Sequence, residues 1–306
     1  MASVKKLQET KYIWMSGKLV AWSEAQTHVL THTLHYGSGA FEGIRVYPTD
    51  RTPAIFRLKE HIDRLFYSAK ALKMESQWNV EEVCQACVEV IARNGLEHGY
   101  LRPLFFYGYG IMGLRPLGAP VELAIACWPW GSYLPHESVA VKVSSYCRIH
   151  PRSSDVEAKL VGHYVNSIMA TLELRGTEYH EALLLDYQGN IAEGPGENLF
   201  MVKDGALITP ASGSILSGIT RRTVFEMAQD LGIQVFERKL TIEELLAGDE
   251  AFFTGTAAEI TPIGSLDKKL IGKDGKVGEV TRKIRDLYGE IVRGKVERYK
   301  KFLTYV

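Results

Sequence analysis

The chain has 306 residues, 46% hydrophobic and 24% charged, with 36 Lys plus Arg against 36 Asp plus Glu. That length suits two domains and buries enough surface to need no disulfide or metal staple. The zero balance excludes a protein built to coat nucleic acid or an anionic membrane, which needs a basic surplus, and four cysteines do not make a disulfide scaffold.

In chain order, no apolar stretch of signal-peptide type follows Met1–Lys6. The longest apolar run, near Ala124–Trp128, is far too short to span a bilayer. A cytoplasmic protein is the expectation. Tyr12–Met15, Ser16-Gly17 and Leu19–Trp22 predict a hairpin. Ile44–Tyr47 and Ala54–Phe56 around Pro48-Thr49-Asp50 predict a second. Ile62, Leu65, Phe66, Ala69 and Leu72 recur at helical spacing and predict a helix over 58–72. Another helix, over 80–92, places Cys84 and Cys87 on one face; no second pair or nearby His completes a zinc set, so packing explains them. Strands at 104–107 and 121–127 follow. Residues 130–138, rich in Gly, Pro and polar side chains, read as a linker. Beyond it the pattern predicts strands at 139–143, 182–186, 199–202, 206–209 and 251–254. Helices are predicted over 162–175, stopped by Gly176, and over 220–231, stopped by Gly232.

Several motifs in this frame invite chemistry. Gly108–Gly113 matches G-x-G-x-x-G after a strand, but Pro116, Gly118 and Pro120 forbid the helix that would hold a pyrophosphate. Gly213–Thr220 resembles a P-loop with Ile219 in place of the lysine, which removes nucleotide-triphosphate chemistry. Gly218 and Thr220 still open a helix whose free N–H groups suit an anion, or form an ordinary cap. Glu193–Asn198 and Gly255–Glu259 are turns of small and acidic residues that would let a ligand approach the backbone, or simply connect strands. Lys159 and Arg64, taken singly, are ordinary surface charges.

Five ordered blocks change this. They are His35-Tyr36-Gly37 through Arg45, Tyr100–Pro103, Ala158-Lys159 through Tyr164, Glu193 through Phe200, and Ser217–Arg221. Together they resemble the fold-type IV pyridoxal-phosphate enzymes, and specifically the branched-chain amino acid aminotransferases. The resemblance implies a two-domain α+β, α/β architecture. A small N-terminal α/β domain (1–129) and an interdomain loop (130–138) would precede a larger domain with a β-barrel-like core (139–306), the cofactor lying between the domains.

The implied activity is ping-pong transamination of Leu, Ile and Val with 2-oxoglutarate. By resemblance Lys159 carries pyridoxal 5′-phosphate as a Schiff base and shuttles the proton. Glu193 faces the pyridine nitrogen, Tyr164 bonds the ring oxygen and Leu216 packs on the ring. Arg64, Gly218, Ile219, Thr220 and Thr256 cup the phosphate. Tyr36, Phe41, Gly43 and Tyr133 line the apolar pocket, Tyr100 and Arg102 take the side-chain carboxylate of glutamate, and Thr256-Ala257-Ala258 receives the α-carboxylate. The loop carrying Met112 and Leu114 would reach a neighbouring subunit's active site, which makes a homodimer the minimum unit and allows a hexamer of three dimers. The implied partners are amino acids and 2-oxo acids, with neither nucleic acid nor membrane. Val161, His163 and Ser217 depart from the residues common in the family at those positions. D-amino acid and (R)-amine transaminases share the fold, and a non-enzymatic phosphometabolite binder would use the anion cup but not Lys159.

Overall fold

The computed structural model describes residues 6–131, 134 and 136–306. Tyr12–Met15 (β1) and Lys18–Ala21 (β2) form the first expected hairpin. Its turn residues Ser16 and Gly17 have φ of 45° and 103°, the handedness that a two-residue hairpin turn requires. After a one-turn helix, His32–Tyr36 (α1), come Gly39–Phe41 (β3), Ile44–Tyr47 (β4) and Ala54–Phe56 (β5). The expected β4–β5 hairpin is present, with Val46 opposite Ile55. Leu58–Ala71 (α2) buries Leu58, Ile62, Leu65 and Ala69. Val80–Asn94 (α3) starts from a reciprocal cap: Glu82 N–H donates to the Asn79 side chain, and Asn79 N–H to the Glu82 carboxylate.

Gly99–Tyr107 (β6) and Val121–Pro129 (β7) are the longest strands. β6 starts five residues before the predicted Leu104, on the far side of Pro103. A proline is normally excluded from a central strand because it cannot donate. Here it sits where β4 (opposite 99–101) hands over to β3 (opposite 104–106). The Pro103 carbonyl accepts from Glu42 N–H at the junction, so the missing donor interrupts neither ladder.

The second half contains Val139–Val143 (β8), Tyr164–Leu172 (α4), Glu181–Leu185 (β9), Ile191–Glu193 (β10), Asn198–Lys203 (β11) and Ala206–Thr209 (β12). Ile219–Asp230 (α5), Val235–Glu237 (β13), Ile242–Leu246 (α6), Glu250–Gly255 (β14), Glu259–Leu266 (β15), Lys269–Leu270 (β16), Glu279–Val292 (α7) and Leu303–Tyr305 (β17) follow. The helix predicted over 162–175 is shorter, a 3-10 turn at Val161–His163 and then α4. Beyond Leu172 the chain keeps helical angles at Glu173 but tightens to three-residue turns, Leu174 N–H bonding Thr171 O and Arg175 N–H bonding Leu172 O, while the Glu173 carboxylate accepts from the Ser144 hydroxyl and from Ser145 N–H.

One sheet runs β17-β5-β4-β6-β7-β1-β2, with β3 also on β6; the other runs β10-β9-β8-β15-β14-β11-β12-β13, with β16 on β15. In the second, β10 and β11 stand five places apart yet are joined by residues 194–197 alone. From Glu193 to Asn198 the chain spans at most about 18 Å, whereas five steps across a flat sheet cover about 24 Å. The sheet therefore curls, in agreement with the expected barrel-like core.

The chain folds into two compact units, each discontinuous in sequence. One comprises the described residues of Met1–Gly131, Ala158–Gly162 and Val292–Val306, the other those of Ser132–Glu157 and His163–Ile291. The expected division into continuous segments 1–129, 130–138 and 139–306 thus differs from the units at two places. Backbone bonds draw 158–162 to β3, and β17 pairs with β5. Cys87 lies in the core of the first unit and Cys84 is half-buried beside it. Burial pushes the Cys84 thiol up to about 11 and Cys87 well above its ordinary value. Neither is a thiolate near neutrality.

Candidate active site

In the first unit Lys159 is fixed through its backbone. Its N–H donates to Ser68 Oγ at 2.8 Å, its carbonyl accepts from Phe41 N–H at 3.1 Å, and Leu160 bridges to Ala40. Gly162 N–H bonds Gly37 O at 3.1 Å, so both ends of the segment are tied to the region around β3. Val161, one of the departures from the family pattern, packs its side chain at Gly39. Lys159 is half-buried, with Nζ 5.2 Å from the centroid of the Phe41 ring. A primary amine thus stands over an apolar face on a rigid support.

The helix that supplies Ser68 also supplies Arg64 and His61. Both meet Glu42, which is fully buried. Arg64 donates through Nε to Oε1 (2.6 Å) and through Nη2 to Oε2 (2.9 Å), and His61 Nδ1 lies 2.7 Å from Oε2. Burial alone would raise the Glu42 carboxyl, but the Arg64 guanidinium and His61 outweigh it and hold it well below the carboxylate range. Burial lowers His61, against the pull of Glu42. Arg64, expected at a phosphate, is therefore held by a buried carboxylate through a two-point fork, which fixes its plane.

On β6, Leu101 and Phe105 belong to the core with α2 and α3, so Tyr100 and Arg102 occupy the opposite face. Their cross-strand partners on β7 are Trp128 and Ala126. The Arg102 guanidinium carbon lies 4.7 Å from the Phe41 ring centroid, 5.3 Å from Tyr100 and 5.7 Å from Trp128. Trp130 completes the box, 5.4 Å from Tyr100 and 6.0 Å from Trp128. Gly43 acts by being small, since a Cβ there would overlap the Tyr100 phenol oxygen. Among the described residues, Arg102 Nε and the indole nitrogens of Trp128 and Trp130 are buried without a hydrogen-bond partner. Tyr36 is on α1, 43% exposed, and Met112 and Leu114 are 44% and 87% exposed. The 108–120 segment starts no helix, as its prolines require. Tyr133 lies outside the described residues.

In the second unit Glu193 ends β10, buried, and accepts from three donors. Arg148 Nε reaches Oε1 at 2.5 Å, and Asn198 Nδ2 (2.9 Å) and Leu216 N–H (3.1 Å) reach Oε2. Asn198 also bonds the Leu216 carbonyl. A Cβ at Gly218 would collide with the Asn198 side chain, so the loop leading into α5 is locked onto the carboxylate. Gly218 caps α5 in extended conformation, and Ile219 and Thr220 are buried in its first turn. Their N–H groups have no intrahelical acceptor and the helix dipole favours an anion there. Thr256, Ala257 and Ala258 form the turn between β14 and β15, closed by Thr261 Oγ1 on Ala258 O at 2.7 Å. Gly255 lies against Gly196 O, which puts this turn beside the 194–197 turn. Tyr164 opens α4, half-buried, after His163, which is buried and bonded to Ser154 Oγ at 2.6 Å.

His61, Ser68, Arg148, Asn198, Trp128 and Trp130 had no role in the sequence reading. Trp128-Pro129-Trp130 just before the linker was a visible signal. Arg148 offered none, because its partner is 45 residues away.

Each unit carries groups that fit pyridoxal phosphate: the first a positioned primary amine for its aldehyde, the second a buried carboxylate for its ring nitrogen and a helix N-terminus for its phosphate. Residues 39–266 match the family model described as amino-transferase class IV. The chain belongs to this family, in its branched-chain-amino-acid aminotransferase branch. A relative of that name from Pseudomonas aeruginosa is 45% identical, the match covering 96% of this chain and 97% of that protein. The crystal structure of a T.th. branched-chain amino acid aminotransferase complexed with N-(5′-phosphopyridoxyl)-L-glutamate superposes with TM-score 0.94 at 44% identity, covering 97% of this chain and 99% of that one. The same enzyme complexed with 4-methylvaleric acid gives 0.92 at 43% identity, again covering 97% and 99%. Among the described residues no helix is long and apolar enough to cross a membrane.

Proposed function

We propose that the chain uses pyridoxal 5′-phosphate to transaminate branched-chain L-amino acids with 2-oxoglutarate, yielding branched-chain 2-oxo acids and L-glutamate. The observation that carries this is the box around Arg102. Aromatic faces suit an apolar side chain, and a half-buried guanidinium without a carboxylate partner among the described residues suits an acidic one. One pocket can then serve both half-reactions. A solved relative holds a glutamate adduct in one structure and an apolar acid in another, which supports this use.

When bound, the cofactor supplies an electron sink for the substrate Cα. Lys159 would hold it covalently through Nζ; once the substrate's amino group has displaced Nζ from that bond, the freed amine would take the proton from Cα and return it at the cofactor C4′. The tether to Ser68 and Phe41 limits where Nζ can travel, which is what proton transfer at a fixed atom requires. Glu193 keeps the ring nitrogen protonated, Tyr164 bonds the ring oxygen and Leu216 packs on the ring. Gly218, Ile219, Thr220 and Thr256 hold the phosphate together with Arg64, whose plane Glu42 sets. Phe41, Tyr36, Tyr133 and the space left by Gly43 receive the branched side chain. Tyr100 and Arg102 bind the acidic one, and Thr256-Ala257-Ala258 receives the α-carboxylate. The exposed Tyr36, Met112 and Leu114 would be covered in a homodimer. The four free cysteines suit a reducing cytoplasm.

Borohydride reduction of the cofactor-loaded protein followed by peptide mapping tests the anchor. Cofactor fixed on Lys159 is expected; none fixed, or fixation on another lysine, removes the assignment. Initial rates on L-leucine, D-alanine and (R)-1-phenylethylamine are expected to favour L-leucine, and a preference for either of the others moves the chain to another activity of the fold.

A further inference from the structure

We propose that the indole N–H of Trp128 is a recognition group for the side-chain carboxylate of the acidic substrate, acting beside Arg102. This rests on the transaminase function above and extends its specificity apparatus to a residue with no other role.

Trp128 lies opposite Tyr100 in the β6–β7 ladder, which places its side chain on the same face as Tyr100 and Arg102. The residue directly opposite Arg102 is Ala126. Its single methyl leaves room for the guanidinium to lean toward the indole, 5.7 Å from the ring centroid. Trp128 is 9% exposed and packs against Tyr100, the rings tilted by 39° with centroids 5.4 Å apart. A tryptophan so enclosed normally finds an acceptor for its N–H, and an unmet buried donor costs about 1–3 kcal/mol. Among the described residues Trp128 Nε1 has no acceptor. Arg102 Nε, its neighbour on the same face, has none either. Two adjacent unmet donors, one of them cationic, call for an anion with several lone pairs, and a carboxylate has about four.

The arrangement discriminates in one direction only. A branched-chain substrate brings no acceptor, so both donors stay as they are and the indole offers its apolar face. An acidic substrate gains a neutral hydrogen bond in addition to the ion pair. Removing the N–H should therefore weaken the acidic substrate more than the apolar one.

Trp128→Phe keeps an aromatic ring and deletes the donor. The holoenzyme would be titrated calorimetrically with glutarate, a dicarboxylate, and with 4-methylvalerate, which carries one carboxylate and a branched tail. The variant is expected to bind glutarate about tenfold more weakly, about 1.4 kcal/mol, with 4-methylvalerate within about twofold. In an Arg102→Gln background the same substitution should cost glutarate less, because the two groups hold one carboxylate. A separation of half-reactions should appear as well: kcat/KM for L-glutamate falls by a clearly larger factor than kcat/KM for L-leucine, and a thermal melt matching the wild type shows that the variant folds. Equal weakening of both acids, or undiminished glutarate binding, overturns the assignment. If the wild type fails to transaminate L-leucine, the underlying function falls first and this assignment with it.

Discussion

Arg148 is buried and Arg102 half-buried, and they meet the cost of a charge withdrawn from water in opposite ways. Arg148 pairs through Nε with Glu193 at 2.5 Å, its Nη1 having no partner among the described residues, and Asn198 and Leu216 also donate to that carboxylate. Arg64 follows the same pattern, with Glu42 and His61. Arg102 instead lies over the rings of Phe41, Tyr100 and Trp128, with no carboxylate partner among the described residues. The ion-paired arginines are held by carboxylates of the fold itself, each within its own unit. The aromatic box holds a charge whose counter-ion comes and goes with the substrate. A ping-pong enzyme with two unlike side chains to accept needs both kinds.

The largest expected effect is in activity. Lys159→Ala should lower turnover by at least about 10²–10⁴-fold, the usual worth of a positioned acid–base group, and single-turnover kinetics would read it. In stability, Arg148→Met strands a buried carboxylate and should cost about 3–5 kcal/mol in urea unfolding, with Glu42→Gln, which strands Arg64, in the same range. Arg102→Met removes a charge without a partner, so its stability should be unchanged or raised. Its kcat/KM for L-glutamate should fall by about 100-fold, the worth of a charge-assisted pair, while L-leucine changes little. Equal destabilisation by the Arg148 and Arg102 substitutions would break the comparison.

Smaller effects follow from pH. The Glu42 carboxyl and the His61 imidazole are both held below their ordinary values of 4.5 and 6.5. Below those values the unfolded chain takes up protons that the native state refuses, so stability should fall as pH drops through about 6.5 and again below about 4.5. Glu181 acts oppositely. It is buried on β9, bonded only to its own Ala182 N–H, and burial raises its carboxyl to about 7. Between 4.5 and 7 the native state keeps a proton that the unfolded chain has lost, so this group removes stability as pH rises through that window. Glu181→Gln should flatten that part of the pH–stability curve, measured by thermal melts from about pH 4 to 8. An unchanged curve would show that Glu181 is not the group responsible.

Much of the fold was legible because it is written in short-range pattern. The 12–22 hairpin, the 58–72 helix and the glycine stop at 232 each depend on neighbours in sequence. β6 was cut short at Leu104 because proline in a central strand is normally a contradiction, and only the handover between two partner strands resolves it. The curl of the second sheet could not be read locally, since it follows from which distant strands pair. In the site, Lys159 and Glu193 were found through the family blocks, not through their own chemistry. Arg148 and Ser68 were invisible for one reason: each matters through a partner 45 or more residues away.

The most direct test of the central claim is the spectrum of the cofactor-loaded enzyme through both half-reactions in turn. Adding L-leucine alone should convert the cofactor's absorption band to that of the aminated form with stoichiometric release of the branched 2-oxo acid. Adding 2-oxoglutarate afterwards should restore the original band and release L-glutamate. A band that L-leucine leaves unmoved, or one that 2-oxoglutarate cannot restore, would contradict a single pocket serving both substrates.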